Sequence, residues 1–260
     1  MQTFNLRHQF NLYWRKIALL PFGLMLLSTS LFGQARFNEI SNAGQDDKFL
    51  SYGFFLAGHT NYWRLTYSSE FLNRNNPSLN RIQSIVPVYT PGFSLGFLAT
   101  VRFHDQFNML FTPKIGFYEF RTEINYFGSD PTNLPGQIIE TQTEVLINEA
   151  TMVEFPVLFK YKAQRFNNNR MFFTGGGSLM FRTKDQEEAD VERLVTTGKD
   201  ITIDLGMGFD MYFKYFKFSP EIRFSHGLAN TYRKEATDPL LRDAIDGLRR
   251  KSITLYLNFQ

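Results

Sequence analysis

Eight charged residues stand out by position rather than by motif: Arg102, Lys114, Glu154, Lys160, Asp204, Asp210, Glu221 and Arg223. Each lies on the polar side of a segment in which apolar and polar residues alternate. Carboxylates and cations gathered on one inner surface have two chemical uses. They can relay a proton or pass a solute, or they can neutralise one another as a plug. An isolated buried charge is very costly, so charges collected in one interior must be paired. The plug is the reading that a narrow interior favours, because side chains fill it.

Other reactive groups give less. Cysteine is absent, which excludes disulfides, thiolate metal sites and a cysteine nucleophile. His59, His104 and His226 fall near the ends of different segments, and no His-x-x-x-His or Glu-x-x-His pair occurs, so no metal site is expected. Ser225 and His226 suggest a hydrolase pair, but adjacent strand residues point to opposite faces. A partner would have to come from Glu70 or His59. Gly175, Gly176 and Gly177 lack the Lys-Ser/Thr of a phosphate cradle and mark a close backbone approach instead. No catalytic residue, cofactor or small-molecule substrate is assigned.

The elements that carry these residues are strands. In ITIDLGMGFDMYF (201–213) every odd position is apolar, while Asp204 and Asp210 occupy even ones. A period of two is the signature of a strand with two unlike faces. The same alternation recurs in 48–60, 91–104, 109–127, 150–162, 171–182, 217–228 and the C-terminal KSITLYLNFQ, which makes eight candidate strands. In 91–104, Leu98 is an apolar exception on the polar side. Short turns join strands two to three, four to five and six to seven. Long loops of about 61–90, 128–149, 183–200 and 229–250 join the others.

Composition decides between a soluble sandwich and a membrane barrel. The chain has 29 Phe and 12 Tyr among 260 residues, an aromatic excess suited to strands. Arg7, Arg15 and Lys16 precede the apolar run IALLPFGLMLL (17–27), which is too short to span a membrane as a helix. This reads as an export signal over 1–33, cleaved after Gly33 or after Ala35. Its removal takes the formal net charge from +3 to zero, so no basic field argues for nucleic acid. The expected fold is all-β: an eight-stranded antiparallel outer-membrane β-barrel over 49–260, after a short periplasmic segment, 34–48. Outer-membrane lipid then meets the apolar face, and the charged residues face the lumen.

Two loops offer contact surfaces. In TYRKEATDPLLRDAIDGLRRK (231–251), Asp238 is an N-cap and Pro239 a first helical residue. Leu240, Leu241, Ala244, Ile245 and Leu248 follow as an apolar stripe that either packs on the barrel mouth or docks a partner protein. PTNLPGQIIETQTEVLIN (131–148) extends strands three and four beyond the membrane and is a second candidate surface.

Several stretches resemble the PorT family of Bacteroidota outer-membrane barrels: GFSLGFLATVRF, the Glu-Phe-Pro of ATMVEFPVLFKYKAQRFNNNR with the following GGG, and DLGMGFDMYFKYFKFSPEIRFSHGL. The resemblance spans about 49–260. It implies a non-enzymatic part in the type IX secretion system, which moves folded proteins with a C-terminal signal to the cell surface and is linked to gliding motility. Other secretion-machinery proteins would be its partners. It carries over no catalytic residue.

Overall fold

A computed structural model describes residues 44, 46–73, 79–127, 142–183 and 193–260. The signal reading of 1–33, most of the 34–48 segment and residues 131–141 of the second contact loop lie outside these residues. Ten strands form one sheet: β1 (Leu50–Tyr67), β2 (Ile82–Val88), β3 (Thr90–Arg102), β4 (Phe107–Phe111), β5 (Lys114–Tyr126), β6 (Gln142–Lys162), β7 (Asn169–Arg182), β8 (Lys199–Tyr212), β9 (Lys217–Gly227) and β10 (Ile245–Phe259). β2 runs into β3 with one residue between them. β4 and β5 are separated by Thr112 and Pro113, yet hydrogen bonding continues there through Thr112 N to Pro156 O (3.1 Å) and Phe97 N to Pro113 O (3.0 Å). The ten strands are therefore eight staves. β1 pairs antiparallel with both β10 and β3, so the sheet closes on itself.

Alternation assigns the two faces. Along β8 the even residues from Asp200 to Asp204 and at Asp210 and Tyr212 are buried, while Ile201, Ile203, Leu205, Met207 and Phe209 are exposed. Leu205 is 61% exposed, Phe97 73% and Phe159 62%, and the apolar exposure continues around the wall. A soluble protein rarely shows so large an apolar surface, so this face is solvated by hydrocarbon. Closure supplies the other requirement, since no backbone edge can be left unpaired in lipid. From Tyr52 to Tyr62, both outward on β1, the strand advances roughly 33 Å, or about 25 Å along the normal at the usual tilt, which matches the apolar band of such barrels. Gly176 shows why the glycine run is needed: a Cβ there would meet Val157 O at 2.1 Å, from the neighbouring stave.

Several staves outrun the membrane. β6 has 21 residues, and β1, the β2–β3 stave and β10 all reach into segments whose sequence reads as loop. At this end lie two short helices, α1 (Ser69–Asn73) and α2 (Pro239–Ala244), and a 3-10 turn, Leu79–Arg81. α2 starts as its sequence predicts: Asp238 accepts from Leu240 N at 2.9 Å and Pro239 occupies the first turn. It ends earlier than the stripe suggests, because Ile245 takes extended geometry (φ −113, ψ 133) and opens β10. A register shift opposite Thr66 and Tyr67 then lets both Ile245 and Leu248 point inward.

The outward assignment makes Leu255, on the middle of β10, a lipid-facing residue. Leu255→Arg is expected to destabilise the inserted barrel by up to about 2–4 kcal/mol, read as a loss of the folded, heat-modifiable band after refolding into vesicles.

Candidate functional site: the ion-paired lumen

The lumen is filled by side chains. Alternation turns Lys114, Glu154, Lys160, Asp204, Asp210, Glu221 and Arg223 inward, and each is at most 5% exposed. The structure brings them together as separate networks. Glu154 receives Lys114 Nζ at 3.0 Å and Arg250 at 3.4 Å, and the Tyr118 hydroxyl donates to it as well. Lys114 also reaches the Tyr256 hydroxyl at 2.9 Å, and Arg250 approaches Asp200 at 3.9 Å. Arg223 forks onto Glu221 at 2.9 and 3.0 Å and lies 4.0 Å over the Tyr256 ring. Thr174 donates to Glu221 at 2.6 Å, a contact that a Cβ at Gly206 would obstruct, since it would lie 2.5 Å from that hydroxyl. Asp204 takes its bonds from the Ser178 and Thr202 hydroxyls rather than from a cation. Lys160 binds Asp210 at 2.6 Å, with Ser219 as a second donor at 2.6 Å and the Phe172 ring 3.6 Å away.

An apolar layer of Phe55, Ala57, Leu98, Leu110 and Leu158 also fills the lumen, joined by Tyr256. Leu98 is thus an inward core residue rather than a break in the pattern. A cavity beside Asp200 and Arg250 holds about 10 Å³, at the lower bound for a single water. This arrangement fixes charge in place and leaves no path for a solute through the described interior.

Arg102 departs from the expected network. It keeps inward parity, but β3 ends there, and its side chain is 27% exposed at the rim, 3.4 Å from Asp47 and 3.5 Å from Asp105. A second network, absent from the sequence reading, closes this end, where the short turns lie. Asp46 lies 3.2 Å from Lys162, 3.3 Å from Arg170 and 3.2 Å from Lys217, and accepts from the Tyr212 hydroxyl. Burial alone would raise the Asp46 carboxyl; Lys217, Lys162 and Tyr212 overcome it and hold the group well below the usual carboxylate range. Arg170 also pairs with Asp105 at 3.2 Å. Lys217 was legible from parity. Arg170 reads as part of a turn, and nothing around Asp46 announces its role.

The loop end is closed by apolar packing. Leu241, Ala244, Ile245 and Leu248 are all 0% exposed and join Trp63, Leu79, Ile82, Phe120, Ile124 and Leu194. Leu240 packs against this cluster while partly buried, whereas Pro239 is exposed. The stripe therefore faces the barrel mouth, and its four buried members offer no surface to a partner. The Leu240 amide, and then Arg193 at 2.9 Å, hold the Asp238 carboxyl low. His59 is buried inside, stacked on Tyr118 at 4.4 Å, whereas His226 has outward parity. The wall separates them, so they cannot act together. Among the described residues no group of three or more His, Cys, Asp or Glu converges as metal ligands.

A closed wall, a greasy exterior and an ionic interior are the marks of an outer-membrane barrel, and the sequence agrees: the model of the outer membrane protein beta-barrel domain matches residues 32–233. The chain belongs to this family. It is an integral protein of the outer membrane. Searching curated proteins returns no significant match. Among solved structures, OprG from Pseudomonas aeruginosa is 11% identical with a TM-score of 0.38, covering 80% of this chain and 93% of that one. Neisserial surface protein A is 10% identical with a TM-score of 0.37, covering 81% and 98%. Ail of Yersinia pestis is 8% identical with a TM-score of 0.31, covering 80% and 96%.

Two outcomes follow from the ion pairs of this family member. Asp210→Leu is expected to cost about 3–5 kcal/mol by stranding Lys160, and Lys160→Met added to it to recover most of that loss, measured by urea unfolding in vesicles. Asp46→Asn removes a carboxylate whose folded value is depressed. Its stabilisation is full above the unfolded value of about 3.9 and is lost as pH falls toward the folded value. The variant should therefore be less stable than the parent at pH near 7, with the gap shrinking on acidification below about 4. A gap independent of pH would contradict this.

Proposed function

We propose that this barrel is a non-enzymatic component of the type IX secretion system, acting through protein contacts in the assembly or operation of export, with a part in gliding motility where the host glides. The observation that carries the reading is the resemblance of GFSLGFLATVRF, the Glu-Phe-Pro stretch and DLGMGFDMYFKYFKFSPEIRFSHGL to the PorT family. The filled lumen supports a role by contact: a bore occupied by its own side chains, as it is among the described residues, is too narrow to carry folded cargo. Partners then have the lipid-facing wall and the raised rim to work with, since the α2 stripe is spent on the mouth. Within this reading residues 1–33 are a removed export signal, 34–48 a periplasmic segment and 49–260 the barrel.

The test is a clean deletion in the native host, followed by locating cargo that carries the type IX C-terminal signal. Cargo held in the periplasm while other outer-membrane proteins stay intact is the expected result. Cargo still reaching the surface would overturn the secretion role and leave a structural or adhesive barrel.

A further inference from the structure

The outer wall carries a cluster of cations that no ion pair neutralises among the described residues. Arg64 on β1 and Arg249 on β10 are directly opposite in the strand register, and both are exposed. Two positions along β10, Lys251 stands opposite Tyr62 on one side and His226 on the other. Like charges directly opposite across a strand pair are destabilising. None of Arg64, Arg249, Lys251 or His226 has an ion-pair partner among the described residues. The wall elsewhere differs: on β5 and β6, Arg121 pairs with Glu119 at 3.1 Å in a sector that also holds Glu123 and Glu149.

Position gives this cluster its meaning. Tyr62 packs on Tyr89 at 4.3 Å between ring centres, and both rings lie where the apolar band of the wall ends. Aromatic girdles of this kind mark the membrane–water boundary. The boundary is the one nearer the long loops, so it borders the outer leaflet. Below the cations a wall groove of about 320 Å³ is lined by Ile203, Leu205, Phe224 and Ile253, with Lys251 and His226 at its edge. A ligand that fits must present anionic oxygens above an acyl chain. Arginine pairs bind phosphate oxygens with two parallel hydrogen bonds each.

We propose that this wall binds a phosphorylated glycolipid of the outer leaflet, its phosphate held by Arg64, Arg249 and Lys251 and an acyl chain lying in the groove. The site is independent of the secretion role, because it concerns the membrane and not the cargo.

Native mass spectrometry of the full-length barrel in nonionic detergent tests it, with three probes: an acylated glucosamine disaccharide bearing phosphate (lipid A), its dephosphorylated form, and inorganic phosphate as competitor. The wild-type protein should retain the phosphorylated glycolipid in preference to the dephosphorylated one, and inorganic phosphate should not displace it. Arg64→Ser, Arg249→Ser and Lys251→Ser together should weaken retention by about a hundredfold at low salt. Heat-modifiable migration reports whether that variant is folded, and the comparison of the two glycolipids on wild type needs no variant. Equal retention of both glycolipids, displacement by inorganic phosphate alone, or undiminished binding by the folded variant would each overturn the proposal.

Discussion

The seam between β1 and β10 is the contact on which the rest of this molecule depends. It runs from Phe54 opposite Phe259 to Tyr67 opposite Ile245, joining the first strand to the last. In hydrocarbon an unpaired backbone group costs several kcal/mol, so the seam is a condition of insertion rather than an improvement on it. Closing only eight staves also fixes a narrow bore. The inward residues must then fill that bore, and their charges must find partners inside it.

The lumen meets this demand in two ways. Its middle uses charge against charge, with tyrosines and hydroxyls taking the remaining bonds around Glu154, Glu221 and Asp210. Its loop end uses apolar packing of the kind found in soluble cores, around Trp63, Phe120 and Leu241. Buried pairs of this sort seldom add net stability over hydrophobic filling, but breaking one is expensive. Such an interior holds one register firmly, because slipping a strand by one residue would send charges into lipid.

Strand count, face assignment and seven of the eight lumen charges were legible in the sequence, because a period of two is imposed on every stave that crosses lipid. Legibility fades where that constraint stops. Arg102 has the right parity but sits at a strand end, where solvent reaches it. Leu241, Ala244, Ile245 and Leu248 carry a helical spacing, yet the last two belong to a strand whose register shift mimics that spacing. Arg250 and Asp200 lie beside turns and glycines where parity is ambiguous. Asp46 is set by tertiary meeting alone, since its partners are far along the chain.

That last contact has a consequence for assembly. The cations that meet Asp46 come from β6, β7 and β9, and its phenolic donor from β8, so a residue near the start of the barrel is held by its second half. Contacts of such long sequence separation carry a large loop-closure cost. Before they form, Lys162, Arg170 and Lys217 stand together at the short-turn mouth without their shared counterion. An unfinished barrel therefore carries more positive charge at this end than a finished one, and completion of the fold weakens the local field there as Asp46 offsets part of it.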